Sequence, residues 1–577
     1  MKERIIRTVV IGSGCAGLNA ADTLSALGER DLALLTDNLL GGTSRNTGSD
    51  KQTYYKLSLA GDDPDSVGDM ARTLHRSDVH GDIALCEAAN SARCFLKLAA
   101  LGVPFPTNGY GEYVGYRTDH DTRRRASSAG PLTSRFMTEV LEHSVKNRGV
   151  EILDYTLVVR ILTDADGVTG LVCLDTRAME WLHIRCAHAV LCTGGPALLY
   201  RSSVYPAGQC GMSGMAFEAG AAGANLDCWQ YGLASVGFRW NVSGSYQQAL
   251  PRYVSVDENG VEREFLSEAL GPAEAMNMVF LKGYQWPFDP RKAEGSSRVD
   301  ILVKAEEDRG RRVYMDYLHN PAGYDLSLLS EEARQYLVSC GADGATPIER
   351  LRVINAPAIG LYRSHGIDIG REMLEVRVCA QHHNGGIAVD ADWQTDVPGL
   401  YACGEAAGTF GRYRPGGTAL NSTQVGSLRA AEHIARRSTR QVRDGYTEAQ
   451  PPLVPAGDAA AILRKLQGDM TRWAAFQRDA AGMRGMLEEI GGHLGRLMPP
   501  DLRDPQLTVR LRLRDMLLTQ REVLSAMLFS LENDTEEGVL MTRSGVSRRA
   551  PARPLPERDL WFERVWQAYR AGAERTT

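Results

Sequence analysis

The fold is decided near the N-terminus, where residues 8–17 read Thr8-Val9-Val10-Ile11-Gly12-Ser13-Gly14-Cys15-Ala16-Gly17. The first four residues are all β-branched, which favours a short buried strand. Three glycines follow at G-x-G-x-x-G spacing, and Ala20, Leu24 and Leu27 then recur at helical spacing before Gly28. The stretch therefore predicts a strand, a glycine turn and a helix, in that order.

Each glycine of this turn has a physical role. Gly12 permits the tight turn, Gly14 lets a pyrophosphate approach the backbone, and Gly17 lets the helix pack closely on the strand. A second apolar run at residues 32–35, followed by Thr36-Asp37, closes a βαβ unit. The helix N-terminus would face the bound anion. The unit therefore predicts a dinucleotide-binding domain.

Composition excludes several classes of protein. The chain has 577 residues, of which 43% are hydrophobic and 24% are charged, so it has enough apolar residues for a large core. The net charge of −6 and the absence of a long basic block disfavour nucleic acid as a partner. No run approaches the ~20 apolar residues of a membrane span. Because residues 1–4 lead directly into a strand-like segment, we expect a cytoplasmic protein.

The eleven cysteines are scattered, with no pair at C-x-x-C spacing. This pattern disfavours a disulfide framework, a zinc site and an iron–sulfur cluster, and it predicts no metal. If electrons move through this chain, an organic cofactor carries them.

The rest of the chain predicts a split α/β architecture. Residues 1–228 combine the βαβ unit with a β-meander, and residues 229–355 lose the βαβ rhythm and predict an inserted α+β domain. Residues 356–440 return to the strand-and-glycine pattern of the first segment. After a proline-rich link at 451–455, helical runs predict that residues 441–577 form a C-terminal helical domain.

Four further motifs make the chain similar to a known family. They are Gly41-Gly42-Thr43-Ser44, Gln381-His382-His383-Asn384-Gly385-Gly386, Gly399-Leu400-Tyr401-Ala402-Cys403-Gly404-Glu405 and Arg414-Pro415-Gly416-Gly417-Thr418-Ala419-Leu420. With the N-terminal glycine turn, they resemble the flavoprotein subunits of the fumarate reductase and succinate dehydrogenase family. That family also includes L-aspartate oxidase and adenylylsulfate reductase. The resemblance implies a Rossmann-like FAD-binding domain split by a capping domain and followed by helices.

The resemblance, together with the glycine-turn chemistry, implies a set of FAD-binding residues. They are Gly12, Gly14, Ala16, Gly17, Thr36, Asp37, Gly42, Thr43, Ser44, Val159, Thr193, Gly194, Gly386, Gly404, Glu405 and Leu420. A helix beginning near Leu420 would direct its N-terminus at the flavin and stabilise negative charge on the reduced ring. Family members with covalent FAD carry a histidine where this chain has Arg45, so we expect FAD to be non-covalent.

The resemblance also implies three catalytic residues. Arg298 would deliver a proton to an alkene carbon, with Asp300 or Glu264 relaying it, although a surface helix arginine is the competing interpretation. Arg414 would hold a substrate carboxylate through its bidentate guanidinium. His382 would add a hydrogen bond to the substrate, unless it is only a packed histidine.

The chain also departs from the family pattern. The H-P-T motif of dicarboxylate-handling members is replaced by Gly232-Leu233-Ala234 after Gln230-Tyr231, which argues against fumarate itself. The inserted segment is also rich in aromatic residues, which either stack a larger substrate or form the domain's own core: Trp229, Tyr231, Phe238, Trp240, Tyr246, Tyr253, Tyr284 and Trp286.

We therefore expect an FAD-dependent oxidoreductase that transfers hydride between flavin N5 and an activated C=C or CH–CH bond. Its substrate would be an unsaturated small molecule, and an electron-donor protein is a possible partner. The alternatives are a flavin oxidase, a sulfur-compound reductase of the same family, and a non-catalytic FAD-bound subunit of an electron-transfer complex.

Overall fold

The computed structural model describes residues 1–60, 64–118, 121, 123–443, 449–533, 537–550 and 552–556. Its α-helices, in chain order, are α1 Cys15–Ala26, α2 Thr43–Asn46, α3 Val67–Leu74, α4 Gly81–Ala100, α5 Thr133–Asn147, α6 Gly214–Ala219, α7 Ser245–Gln248, α8 Phe265–Leu270, α9 Pro272–Lys282, α10 Arg298–Asp308, α11 Glu331–Ser339, α12 Pro347–Ser364, α13 Thr418–Arg436, α14 Ala459–Trp473, α15 Ala480–Leu494 and α16 Leu507–Asn533.

The strands are β1 Lys2–Ile5, β2 Thr8–Ile11, β3 Leu32–Leu35, β4 Tyr54–Tyr55, β5 Ala126–Ser127, β6 Glu151–Leu153, β7 Thr156–Asp164, β8 Gly167–Asp175, β9 Glu180–Arg185, β10 His188–Leu191, β11 Gly223–Ala224, β12 Trp229–Ser235, β13 Trp240–Asn241, β14 Arg252–Val256, β15 Glu262–Arg263, β16 Arg312–Asp316, β17 Leu374–His383, β18 Gly386–Ile387, β19 Leu400–Ala402, β20 Val454–Pro455, β21 Leu497–Met498, β22 Val539–Thr542 and β23 Gly545–Arg548.

A parallel sheet in the order β19-β10-β2-β3-β6 forms the centre of the molecule. All residues of β2, β3 and β10 are buried, as expected for a parallel sheet covered on both faces. The outer strand β19 is about 390 residues away from β2 in sequence, yet both flank β10 in parallel. The predicted α/β, Rossmann-like domain split by an insertion is therefore confirmed.

The β-meander predicted after residue 150 forms a second sheet, in the order β1-β9-β8-β7. Strand β7 carries a bulge, because the pairing with β8 passes from Val158 to Arg160 and leaves Val159 without a partner in the register. This meander lies beside the central sheet and contributes residues of β7 to the cavity described below.

The inserted segment forms a six-stranded sheet, β13-β12-β17-β16-β14-β15, flanked by helices α7–α12. Strand β17 pairs with both β12 and β16, so it lies inside this sheet. The expected domain boundary at 355/356 falls within α12, at a kink where Asn355 has φ −158° and ψ 75°. We refer to residues 229–383 as the cap.

The C-terminal tract contains the predicted helices α14, α15 and α16, which pack on one another. Helix α16 also packs on α6, and β22 pairs with β11, with Gly223 opposite Met541. The C-terminal helical part is thus joined to the first FAD-binding segment. Among the described residues, none of the helices is both long and apolar enough to span a bilayer.

Candidate active site

A cavity of about 1180 Å³ lies between the carboxyl ends of β2 and β3, the cap and α16. Pockets that hold one small ligand usually span about 300–1,000 Å³. The cavity therefore has room for a long cofactor and a second molecule. Ligands of open α/β sheets bind at this edge, outside the carboxyl ends of the strands.

The glycine turn forms a cradle at one end of the cavity. Gly12 has φ +111°, and a Cβ there would lie 2.4 Å from the carbonyl oxygen of Cys192, so only glycine fits. Gly14 and Ala16 line the cavity, and the N-cap residue Gly14 has no side chain to cap α1. The backbone N–H groups of the turn and the helix dipole favour a bound anion here. The cradle therefore fits the pyrophosphate of FAD.

Gly17 has a structural role. A Cβ on Gly17 would lie 1.8 Å from the carbonyl oxygen of Gly12, so the residue permits the close approach of α1 to β2. Gly386 is similar, since a Cβ there would lie 2.7 Å from the carbonyl oxygen of Ala406. Neither residue lines the cavity; Gly17 supports the backbone of Gly12, which does.

The end of β3 forms the nucleotide side of the cavity. Thr36 and Asp37 line it, and the hydroxyls of Thr36 and Ser13 are 2.9 Å apart. Asp37 Oδ2 accepts a hydrogen bond of 2.9 Å from Nη2 of Arg512 on α16. The predicted Val159 does not line the cavity, whereas its neighbour Val158 does. The bulge in β7 explains this, because it changes which residue faces the cavity.

The second glycine motif borders the middle of the cavity. Gly42 has φ +83° and precedes α2, whose residues Thr43 and Ser44 line the cavity together with Thr193 and Gly194. The Thr43 hydroxyl donates to Gln209 Oε1 at 2.6 Å.

Ser44 and Arg45 tie α2 to its neighbours. The backbone N–H of Cys15 donates to Ser44 Oγ at 3.2 Å, which joins the two glycine motifs. Arg45 pairs with Glu142 at the position where covalent family members carry a histidine.

Helix α13 presents its N-terminus to the cavity. It begins at Thr418, close to the predicted start, and no side chain caps it. Leu420, Gly404 and Glu405 line the same region. An uncapped helix N-terminus stabilises negative charge, which suits a flavin that accepts hydride.

Arg414 is a half-buried cation with neutral hydrogen-bond partners. Its Nη2 donates to Gln230 Oε1 at 2.5 Å, its Nε to Asn384 Oδ1 at 3.3 Å, and its Nη1 to Thr418 Oγ1 at 3.2 Å. Burial lowers the pKa of Arg414 to about 10, although Glu405 and Glu87 oppose this shift. A guanidinium whose three hydrogen-bond partners among the described residues are neutral is suited to bind an anionic ligand.

His382 lies next to Arg414 in the cavity wall. Asn384 Nδ2 donates to the carbonyl of Gly411, so Asn384 Oδ1 is the acceptor that meets His382 Nδ1 at 2.9 Å. Burial, assisted by Arg414, holds the pKa of His382 well below its usual range. The imidazole is therefore neutral, with hydrogen on Nδ1 and a free lone pair on Nε2.

Glu405 completes this group. Its Oε1 accepts hydrogen bonds from the Tyr205 hydroxyl and, at 2.8 Å, from the backbone N–H of His383. Burial raises the pKa of Glu405 to about 7. The same oxygen is 4.0 Å from His382 Nε2, so a titratable carboxyl lies beside the neutral imidazole.

Arg298, by contrast, does not line the cavity. It is the first residue of α10, its side chain is 38% exposed, and its nearest acidic partner is Glu294 at 3.7 Å. The proposed relay Asp300 is buried against Lys282 at 2.5 Å. The structure thus places Arg298 at a partly exposed helix start outside the cavity wall, and its role as proton donor stays a prediction.

The aromatic residues of the cap divide into two sets. Trp229, Tyr231, Tyr246 and Tyr253 are buried in the core and do not line the cavity. The cavity-lining rings are Phe238, Trp240, Tyr284 and Trp286.

Sequence reasoning missed several polar residues of the cavity wall, among them Arg512, Asp50 and Asn241. Nothing in the local sequence distinguishes them, because each reaches the cavity through pairing that is distant along the chain. Gln230 carried a signal, since the Q-Y pair at the start of the cap marks it, but its contact with Arg414 depends on the folded sheet.

Three comparisons with known proteins agree with this geometry. A family model described as an FAD binding domain matches residues 7–420. The chain is 27% identical over 495 residues to an L-aspartate oxidase of Agrobacterium fabrum, covering 84% of this chain and 83% of that protein. It is 26% identical over 446 residues to an L-aspartate oxidase of Streptomyces coelicolor, covering 75% of this chain and 68% of that protein.

Solved structures show the same fold. The FrdA chain of E. coli quinol fumarate reductase superimposes with a TM-score of 0.69 at 18% identity, covering 97% of this chain and 98% of that chain. An adenosine-5-phosphosulfate reductase superimposes with a TM-score of 0.60 at 16% identity, covering 92% and 89%.

Proposed function

The chain belongs to the FAD binding domain family, and on that premise we propose that it oxidises the CH–NH₂ group of a carboxylate-bearing amine. The observation that carries this proposal is that Arg414 and His382 lie in the same cavity wall. The similarity to L-aspartate oxidases supports the choice of an amino acid over other reductants.

Arg414 is the group proposed to bind the substrate carboxylate. Its hydrogen-bond partners Gln230, Asn384 and Thr418 are neutral, so an incoming carboxylate displaces no anion from these three contacts. Two parallel N–H···O bonds would fix the direction from the carboxylate to the neighbouring carbon. Such fixation matters because catalysis depends on holding the reacting carbon in one orientation.

His382 is the proposed proton acceptor. Its Nε2 lone pair is free because Nδ1 donates to Asn384 Oδ1. Burial and, to a lesser extent, repulsion by the nearby Arg414 cation disfavour a second proton on the ring in the resting enzyme. Once a substrate carboxylate neutralises Arg414, that repulsion is offset and His382 can take a proton from the substrate nitrogen.

Bound FAD supplies the two-electron acceptor, and dioxygen is the proposed terminal oxidant. The substrate carbon would lose its hydrogen as a hydride, and the neighbouring nitrogen would lose a proton to His382. A C=N bond would form between this carbon and this nitrogen. The chain itself orients the carboxylate, accepts the proton and excludes water from the enclosed site.

Substitution of Arg414 tests this proposal. We expect Arg414→Ala to retain FAD but to lose about a hundredfold or more in kcat/KM, the scale of losing one preorganised charge contact. The matched control is Arg298→Ala, which removes an arginine from outside the cavity and should retain kcat/KM. Peroxide formation from a panel of amino acids measures both, and equal kcat/KM for Arg414→Ala and the unsubstituted protein would overturn the assignment.

A second candidate is the reaction at a C=C or CH–CH bond that the sequence predicts. It is favoured by the 4.0 Å approach of Glu405 to His382, because a carboxyl with a pKa of about 7 can hold the proton that alkene reduction consumes. Anaerobic photoreduced enzyme should then be reoxidised by an enoate and not by an imino acid. Rapid-mixing absorbance of the flavin distinguishes the two candidates.

A further inference from the structure

The cap side of the cavity consists of rings and uncharged polar groups. Its aromatic members are Phe238, Trp240, Tyr284, Trp286 and His365. No lysine or arginine of residues 229–383, all of which the structure describes, lines the cavity. The cations around the cavity come from the FAD-binding segments and α16.

Trp286 lies next to the proposed carboxylate site. Gln230, which bonds Arg414, and Gly232 belong to the same strand, β12. A Cβ on Gly232 would lie 3.2 Å from the Trp286 ring atoms Cε2 and Cζ2, so the indole packs directly on this strand. Gln381, the residue before His382, donates from Nε2 to the carbonyl of Gly232 at 2.8 Å. The indole thus packs on the strand that carries Gln230 and lies beside Gln381, the neighbour of His382 in the chain.

Three other rings continue this wall. Phe238 lies between Trp240 and His365, with centroid distances of 5.2 Å and 3.7 Å and interplanar angles of 18° and 14°. Because both faces of Phe238 are covered by its neighbours, these rings form one packed apolar cluster in the cavity wall. A flat hydrocarbon ring is the group that such a wall accommodates best.

Two residues with acceptor groups, Asp50 and Asn241, belong to the cavity wall. Asp50 lines the cavity, and its carboxylate is held by the backbone N–H of Ser245 at 2.9 Å and by the Asn355 amide. Asn241 Oδ1 is buried and has no hydrogen-bond partner among the described residues. A carboxylate placed against these two acceptors would gain no hydrogen bond from them, whereas a hydrocarbon ring needs no donor there.

We propose that the substrate is an α-amino acid with an aromatic side chain, bound with its ring against Trp286, and not an acidic amino acid. This inference rests on the proposed function for the amine and on the cap geometry for the ring. It separates this chain in specificity from the L-aspartate oxidases that it resembles.

The kinetic test compares L-phenylalanine and L-tryptophan with L-aspartate as substrates of the FAD-loaded protein. We expect kcat/KM to be about tenfold or more higher for an aromatic amino acid than for L-aspartate. Trp286→Leu should reduce this ratio about tenfold, since a lost ring contact is worth roughly this much. The matched control Trp181→Leu changes a tryptophan in β9 that does not line the cavity. This variant should keep the preference for aromatic over acidic substrates of the unsubstituted protein. A preference for aspartate would overturn the inference.

A binding test separates this inference from the proposed reaction. The amine-free acids 3-phenylpropanoate and succinate are titrated into the FAD-loaded protein while the flavin absorption spectrum is recorded. Tighter binding of 3-phenylpropanoate, lost in both Arg414→Ala and Trp286→Leu, supports the aromatic site even if no amino acid is oxidised. Tighter binding of succinate, or no spectral change with either acid, overturns it.

Discussion

At the scale of single residues, Gly14 offers the sharpest test of the cofactor cradle. Its backbone has φ −76° and ψ −178°, which any residue can adopt, and its Cβ would point at Ser44 Oγ from 3.2 Å. We expect Gly14→Val to fold but to be purified without flavin, because the side chain occupies the space of the phosphate. Flavin absorbance per protein, with circular dichroism for the fold, measures both parts.

The control for this variant is Gly468→Val, at a helix position with no atom within 4 Å of the added Cβ. It adds the same side chain far from the cavity and should retain full flavin. A yellow, fully loaded Gly14→Val protein would contradict the placement of the pyrophosphate. Gly12 and Gly17 are poorer tests, because side chains there would collide with backbone and disturb the fold itself.

A second residue, Glu87, makes stability depend on pH. It is buried on α4, and burial raises its pKa to about 8 from an ordinary value near 4.5. The folded state therefore keeps a proton that the unfolded state releases, so Glu87 lowers stability as pH rises from about 4.5 through about 8. We expect Glu87→Gln to gain in Tm relative to the unsubstituted protein between pH 5.5 and pH 8.5. A Tm difference that does not grow with pH would show that Glu87 titrates normally.

At the scale of elements, the parts predicted best are those whose signal is local. The β-branched run before Gly12 and the helical spacing after Gly17 predicted β2 and α1, and the parallel pairing of β2 with β3 confirms the βαβ unit. The match of residues 7–420 to an FAD binding domain confirms the flavoprotein family and the FAD cofactor. Glycine motifs can be predicted from sequence because, where two backbone segments approach closely, there is no room for the side chain of any other residue.

The parts that were not predictable depend on pairing between distant segments. Residues 374–383 alternate as a strand should, but nothing local shows that β17 joins the cap sheet instead of the central sheet. Likewise, the run around Arg298 reads as a helix start, and only the packing of α10 shows that the arginine faces solvent.

The aromatic residues of the cap show the same limit. Tyr246 is fully buried in the core, whereas Trp286 lines the cavity, although both lie in similarly aromatic sequence. Burial and cavity exposure depend on which neighbours cover each ring, so composition alone leaves the two cases indistinguishable. The bulge at Val159 is a further example, because a single extra residue changes which side chain faces the ligand.

At the scale of the whole molecule, four separate parts of the chain enclose one cavity. The two FAD-binding segments supply the cradle and Arg414, the cap supplies the rings, and the C-terminal tract supplies Arg512. Arg512 reaches Asp37 across 475 positions of sequence, at a separation of 2.9 Å. The C-terminal helix therefore takes part in the nucleotide side of the site.

This arrangement predicts that α16 contributes to FAD affinity. Asp37 is the acid expected to meet the adenosine ribose, and Arg512 fixes its orientation. Because Arg45 replaces the histidine of covalent members, we expect FAD to dissociate, so its Kd can be titrated. Arg512→Ala should weaken FAD binding about tenfold, or ~1.4 kcal/mol, while the reaction with bound FAD is retained.

The matched control is Arg514→Ala. Arg514 lies on the same helix as Arg512 and forms an ion pair with Glu218, but it does not line the cavity. If α16 acts only as a structural support, both variants lower Tm similarly and leave the Kd for FAD unchanged. If Arg512 positions Asp37, Arg512→Ala raises the Kd for FAD and Arg514→Ala does not. Asp37→Asn then raises the Kd by a similar factor, and the double variant shows no further increase, because the two side chains act as one unit. Fluorescence titration of the flavin-free protein with FAD therefore decides between a helix that merely packs and one that helps to bind the nucleotide.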